Sequence, residues 1–228
     1  MTEEKIKVDI VSDVACPWCY VGMKRLESAL QQWKGASIEI EWHPYQLDPT
    51  IPQEGINRIT YLENKFGDIE RTKPMADAIS DAGEELGIAF NFSDKWLAVN
   101  TLPLHQLLHV AGEEGFKEVL KERFFKAYFD ENLHLNSIDV LSKIMAEYSW
   151  DRQKVERIIN DDTIAYAVTQ EIKHYQQRGV SSVPFFIIND KYGISGAQPS
   201  NVFLQVFESV APIKTENGES CDSTTGEC

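Results

Sequence analysis

Asp13-Val14-Ala15-Cys16-Pro17-Trp18-Cys19-Tyr20 puts two cysteines, separated by two residues, where one hydrophobic period gives way to another. Upstream, Ile6, Val8 and Ile10 alternate with Lys5, Lys7 and Asp9, the period of a strand. Downstream, Cys19, Met23, Leu26, Leu30 and Trp33 recur at helical spacing as one apolar stripe, and Gly35 supplies a stop. Cys16 therefore stands at the start of a predicted helix. Pro17 suits the first helical position, because its missing N–H would have no intrahelical acceptor and its φ is already set.

That placement has chemical content. The free N–H groups of a first helical turn carry about half a positive charge and favour an anion beside them. Each unit of pKa depression is worth about 1.4 kcal/mol in favour of the thiolate. Cys16 is thus expected to be the ionised nucleophile near neutral pH. Cys19, one turn deeper on the apolar stripe, is expected to stay protonated and to resolve a mixed disulfide. A zinc site would need further ligands, and no second short-spaced Cys or His pair follows at finger-like spacing, so no metal is assigned.

With 228 residues the chain can bury a substantial core in one domain carrying a large insertion. Lys and Arg number 22 against 36 Asp and Glu, a formal charge of −14, which argues against a sequence-independent grip on nucleic acid or anionic lipid. The first strand begins almost at Met1 with no leader pattern ahead of it, and no apolar run is long enough to span a bilayer. The expectation is a soluble, cytoplasmic protein. Four cysteines are too few and too unevenly placed for a disulfide scaffold, and cytosolic pairs tend to be catalytic or redox-sensing.

After Gly35, Ile38, Ile40 and Trp42 alternate with Ser37, Glu39 and Glu41, completing a strand–helix–strand unit, which is right-handed in nearly all proteins. From about Asn57 to Arg178 almost nothing reads as strand. Helices are expected at residues 58–66, 73–86, 103–111, 116–129, 138–148, 152–159 and 163–178, with Phe116, Leu120, Phe124 and Ala127 packing the core. Asn100 or Thr101 is the expected cap of the third and Ser137 of the fifth. Strand pattern resumes at residues 180–188, turns at Asn189-Asp190, continues from Tyr192 to Gly196, and a helix over residues 200–210 closes the fold. The helical block then reads as an insertion in one α/β domain. Pro184 belongs at a strand's beginning or edge. A cis Val183–Pro184 bond, which would expose Val183 backbone groups to an extended substrate, and an ordinary trans bond both fit the sequence.

Together, the CPWC motif at a helix start, the long helical insertion, Gly179-Val180-x-x-Val183-Pro184-Phe185-Phe186 and Ser195-Gly196-Ala197-Gln198 resemble the DsbA family, and within it the FrnE-like branch. The likeness runs from about residue 6 to 212. It implies a thioredoxin-like fold with a large all-helical insertion. Residues 1–56 and 163–212 would form the thioredoxin-like domain, 57–162 the insertion and 213–228 an acidic, cysteine-containing tail. It implies that Cys16 attacks, Cys19 resolves and Pro184 is a cis-proline facing them. Val183 and Trp18 would join Pro184 in binding substrate, and Pro17 and Trp18 would tune the sulfurs. The implied activity is thiol–disulfide exchange with protein or small thiol and disulfide partners. The redox-active disulfide would be the only prosthetic chemistry, with glutathione an admissible partner.

Two other classes share the scaffold. A glutathione-dependent isomerase, resembling 2-hydroxychromene-2-carboxylate isomerase, would place serine where Cys16 stands. A noncatalytic, chaperone-like binding module would carry a vestigial pair. Cys221 and Cys228 in the polar tail are read as a shuttle disulfide able to dock on Cys16. His105, His109 and Glu113, at successive fourth positions of one helix, are read as packed or solvated side chains and not as ligands. Asp13 and His43, near strand ends, are candidate relays for the Cys19 proton, although a polar residue satisfied at a strand end explains each.

Overall fold

The computed structural model describes residues 5–93 and 96–211. Its main sheet has four strands in the order β2–β1–β5–β6. Strand β1 (Ile6–Ser12) pairs in parallel with β2 (Ile38–Pro44), Ile10 opposite Trp42. On its other edge β1 runs antiparallel to β5 (Phe185–Ile188), Val8 opposite Ile188 and Val11 opposite Phe185. β5 in turn forms a hairpin with β6 (Tyr192–Ser195) through Asn189 and Asp190, both at positive φ, where Asn and Asp are the tolerated non-glycine residues. The first and last parts of the sequence therefore share one sheet, and a long, mainly helical stretch separates β2 from β5.

Alternation along β1 decides what packs where. Ile6, Val8 and Ile10 join the larger core beneath α1 (Pro17–Gln32) and α9 (Ser200–Val210), with Phe186, Phe203 and Phe207 fully buried among them. Val11 faces the opposite layer with Tyr45, Tyr175, Val180 and Ile187, under α8 (Asp162–Gln177). That second layer buries Asp9 to 1% exposure, so the polar side of β1 is interior, where alternation alone implies water. The α1 helix ends three residues before the expected stop. Trp33 takes an extended conformation, and its indole N–H donates to the Ala36 carbonyl at 2.8 Å, folding the ring across Gly35.

The inserted block contains α2 (Arg58–Phe66), a 3-10 turn (Ile69–Thr72), α3 (Lys73–Glu84), α4 (Leu102–Glu113), α5 (Lys117–Phe125), α6 (Ile138–Ala146) and α7 (Arg152–Ile159). A small ribbon interrupts it, β3 (Ile56–Asn57) pairing antiparallel with β4 (Leu97–Ala98), too short to carry a periodic signal. The fourth expected helix divides at Phe125 into α5 and a π-helical turn, Lys126–Asp130. The change of pitch buries Phe124, Phe125, Tyr128 and Phe129 together, which a single α-helical face does not accommodate. Residues 180–184 form a loop and not the expected strand: Gly179, at φ 92°, ends α8, and Val180 N–H returns to the Tyr175 carbonyl. The Val183–Pro184 peptide bond is cis. Ser137 caps α6 without a side-chain bond, and Asn100 Oδ1, ahead of the α4 cap Thr101, accepts the Leu102 N–H.

α1 lies against the Pro184 loop so closely that a Cβ on Gly22 would stand 3.1 Å from Pro184 Cγ and 3.2 Å from Phe186 Cζ. Gly22→Leu is expected to lower the unfolding free energy by about 1–3 kcal/mol through overpacking. Urea denaturation checks this, and an unchanged midpoint would mean that the Pro184 loop yields to α1.

Candidate active site

Cys16 is the N-cap of α1, in extended conformation, with Pro17 as the first helical residue. Its N–H bonds to the Asp13 carbonyl at 3.1 Å, and its own carbonyl accepts the Cys19 N–H at 3.0 Å, a tight turn that leads straight into the helix. Both cysteines are free thiols, 5% and 1% exposed. The Cys16 thiol donates to the Val183 carbonyl at 3.6 Å, joining residues 167 positions apart. The expected thiolate at Cys16 requires correction. The Cys19 sulfur beside it, and then burial, push the Cys16 thiol well above its usual range, outweighing the Cys19 backbone N–H that favours the anion. In this closed, reduced arrangement the helix terminus does not outweigh a neighbouring sulfur and the loss of water.

Geometry still distinguishes the two sulfurs. Cys16 lines an apolar pocket of about 290 Å³ with Trp18 and Val183, and Cys19 is not among its lining residues. The far walls come from the insertion, with Tyr61 and Phe66 on α2, Met75 and Ile79 on α3, and Phe129 on the π-helical turn. Arg58 and Lys65 add positive charge to this lining, Arg58 lying over the Phe92 ring. Trp18, Val183 and Cys16 are thus brought to one opening, while Pro184 packs behind Val183 against α1.

Deeper ionisable groups surround the pair. Asp13, 1% exposed, accepts the Leu47 N–H at 2.7 Å and the Ala15 N–H at 3.3 Å. Burial pushes its carboxyl upward, but the bonds from His105, Leu47 and Thr101 prevail and hold it below the usual range. His105 Nε2 is 2.8 Å from the Tyr45 carbonyl and 3.3 Å from Asp13 Oδ1. A carbonyl only accepts, so that nitrogen carries the hydrogen. Lys121 on α5 is also 1% exposed. Its ammonium lies 5.1 Å from the Trp42 ring centroid and reaches the Ser12 carbonyl at 3.5 Å.

The remaining candidates separate. His43 lies between two carboxylates, Nε2 at 2.8 Å from Asp9 and Nδ1 at 2.7 Å from Glu171, on the α8 side of the sheet. Lys7 bridges Asp9 and Glu41 at 2.9 and 3.1 Å, so the acidic pair next to His43 already holds a cation. His109 is 3.9 Å from Glu113, whereas His105 points inward to Asp13, so the three spaced residues of α4 do not converge. Cys221 and Cys228 lie outside the described residues. Sequence reasoning missed Lys121 and the role of His105. α5 gathers its apolar residues on no one face, so the sequence gives no periodic sign that Lys121, next to Leu120, is buried.

Residues 7–208 match the family model described as the DSBA-like thioredoxin domain. YwbO, an uncharacterized protein of Bacillus subtilis (strain 168), is 29% identical over 199 residues, spanning 87% of this chain and 94% of that protein. The probable DsbA oxidoreductase SCO1869 from Streptomyces coelicolor superposes with a TM-score of 0.82 at 30% identity, covering 96% of this chain and 97% of that one. The cytosolic disulfide reductase DsbM from Pseudomonas aeruginosa, solved with glutathione, shares the fold at a TM-score of 0.62 and 15% identity, covering 90% and 100%.

Asp13→Ala should cost about 1–3 kcal/mol at neutral pH, because the Leu47 and Ala15 amides and His105 lose a buried acceptor. The folded carboxyl is depressed, so the contribution is complete above the unfolded value of about 3.9 and is lost as pH falls through the lower folded value. Denaturant titrations at pH 7 and at pH 3 check it. A wild-type advantage that did not shrink in acid would show that the ionised carboxylate is not what stabilises the fold.

Proposed function

The chain belongs to the DSBA-like thioredoxin domain family, and on that footing we propose that it is a dithiol–disulfide oxidoreductase working through Cys16 and Cys19. The observation that carries this reading is the placement of Cys16 at the start of α1, against the Val183 carbonyl and open to an apolar pocket, with Cys19 one turn behind it. A structural cysteine pair needs no such opening.

The exchange follows from these positions. An extended substrate segment lying along residues 183–184 offers its disulfide to Cys16, whose S–H is drawn toward Val183 in the resting site. Cys16 first gives up its proton to solvent at the pocket mouth; the thiolate then attacks, breaking the substrate S–S bond, forming a Cys16 mixed disulfide and releasing one substrate thiolate, which takes up a proton from water. Cys19 then loses its proton and attacks the Cys16 sulfur. The enzyme disulfide forms, and the second substrate thiolate departs with the electron pair of the broken bond. The substrate has gained two electrons and the enzyme has lost two; run backward, the same steps oxidise a dithiol. Direction depends on potential: dithiols of this type span roughly −270 to −120 mV, the values of thioredoxin and DsbA themselves, and about 30 mV shifts the equilibrium tenfold.

Trp18, Val183 and Pro184 serve substrate binding in this reading, and Pro17 and Trp18 tune the sulfurs. Residues 1–56 and 163–212 carry the sulfur chemistry, and 57–162 shape the pocket. Protein thiols and low-molecular-weight thiols are both candidate partners, the glutathione complex of the DsbM neighbour supporting the second. We place the activity in the cytoplasm and assign the FrnE-like branch on the motifs quoted above. Among the described residues no helix is long and apolar enough to cross a membrane. The tail cysteines, Cys221 and Cys228, are proposed as a shuttle pair for Cys16. Retention of sulfur at position 16 favours this reading over the isomerase.

Cys16→Ser is expected to reduce insulin no faster than buffer with reductant alone, while Cys19→Ser should accumulate a mixed disulfide detectable by intact mass. Full turnover by Cys16→Ser would remove the mechanism.

A further inference from the structure

Resting on the exchange reading, the pocket in front of Cys16 bears on which sulfur compounds the site receives. Its wall is aromatic: Tyr61, Phe66, Phe92, Trp96 and Phe129 line about 290 Å³ together, and the Phe92 and Phe129 rings meet edge to face at 6.4 Å. Such a wall favours an aromatic occupant, because rings gain from offset and edge-to-face contacts beyond the area they bury. The size stands at the lower end of small-molecule sites, roughly 300–1,000 Å³, and suits one substituted ring beside the reacting sulfur.

The charge of the lining is selective as well. The chain carries 36 acidic residues against 22 basic ones, yet among the described residues no Asp or Glu lines this pocket, whereas Arg58 and Lys65 do. Lys65 is exposed, and its ammonium donates to the Tyr61 hydroxyl at 2.8 Å and lies 5.2 Å from that ring's centroid. It pairs with no carboxylate among the described residues, so its resting partner is a neutral oxygen. One opening therefore presents a nucleophilic sulfur, an aromatic wall and a cationic rim.

We propose that the preferred substrates are low-molecular-weight disulfides, and the matching thiols in the reverse direction, in which an aromatic ring bears both the sulfur and an anionic group. The ring occupies the pocket, the anion faces Lys65 and the sulfur meets Cys16. Attack by Cys16 breaks the aryl S–S bond, and one arylthiolate leaves. The other half stays bonded to Cys16 until Cys19 displaces it, so the substrate gains two electrons and the enzyme ends as its disulfide. An aromatic ring spreads the charge of a departing sulfur, and thiols of lower pKa leave faster. That suits a site in which the neighbouring Cys19 sulfur and burial push the Cys16 thiol up, since the aryl sulfur is then the better leaving group of the mixed disulfide.

Single-turnover rates of the reduced full-length protein, followed by rapid quench and intact mass, test this with four disulfides. 5,5′-Dithiobis(2-nitrobenzoate) is aromatic and anionic, 4,4′-dithiodipyridine aromatic and neutral, 3,3′-dithiodipropionate aliphatic and anionic, and oxidised glutathione a peptide. The rate of Cys16→Ser, which keeps the other cysteines, is subtracted. Each result is divided by the rate of mercaptoethanol with the same disulfide at the same pH, which removes the disulfide's own reactivity. The enhancement for the nitrobenzoate should exceed that for the dipropionate and for glutathione by about tenfold or more, the scale of burying a ring. It should exceed that for the dipyridine by about fivefold, the scale of an exposed ion pair, and this margin should shrink in high salt. Lys65→Glu should lower the nitrobenzoate-to-dipyridine ratio by about fivefold. Ala76→Trp, which sets a ring into the α3 wall, should lower the nitrobenzoate-to-dipropionate ratio by about tenfold. Equal enhancements across the four, a larger one for glutathione, or ratios that neither variant moves would overturn the proposal. Should the variants fail to fold, the wild-type pattern decides by itself. Release of a single arylthiolate per reduced protein, with no enzyme disulfide formed, would instead defeat the exchange reading.

Discussion

The antiparallel pairing of β1 with β5 is the constraint on which the site depends. Val11 opposite Phe185 fixes two chain ends that the sequence separates by the whole helical insertion. β1 leads through Asp13 into Cys16, and the 180–184 loop leads through Val183 into β5, so one ladder sets the sulfur and the carbonyl that meets it. A slip of one residue would exchange the two faces of β1 and place Asp9 in the layer that α1 covers. Ile6, Val8 and Ile10, buried together under α1 and α9, make such a slip expensive.

Much of this was legible. The change from two-residue to helical period between Ile10 and Met23 located strand, helix and cysteine pair together, and the helix boundaries at Arg58, Arg152 and Ser200 agree with the structure. What was not legible depends on partners remote in sequence. Asp9 reads as an exposed strand residue until α8 covers it, and Lys121 reads as a solvated lysine until α5 crosses the ends of β1 and β2. The π-helical turn was hidden because four aromatic residues in six positions fit no single period, and only packing chooses the pitch. The Cys16 thiolate was overestimated for a related reason: a helix terminus is local, whereas the burial and the second sulfur that oppose it come from the assembled site.

The interior around the dithiol is unusually polar for a region so well shielded. Asp13, His105, Lys121 and the two thiols are all buried within reach of one another's charge. Asp13 is fully engaged by amides and by His105, which makes it a fixed negative potential. Lys121 is held only by a long bond to the Ser12 carbonyl and by the Trp42 and Phe125 rings, and burial brings its pKa down to about 8. The same low-permittivity setting raises the cost of an extra anion at Cys16 and increases the effect of a nearby cation.

The pocket in front of Cys16 is built chiefly from α2, α3 and the π-helical turn, while the sulfurs and Val183 are held by the sheet and its loops. The far wall of the pocket and the sulfur pair therefore lie in separate stretches of the gene, while Trp18 and Val183 border both. A lineage can exchange Tyr61, Met75 or Ile79 and acquire new clients while its electrochemistry stays the same, and paralogues on this framework should diverge first in the interposed helices and last in the ladder that frames the dithiol.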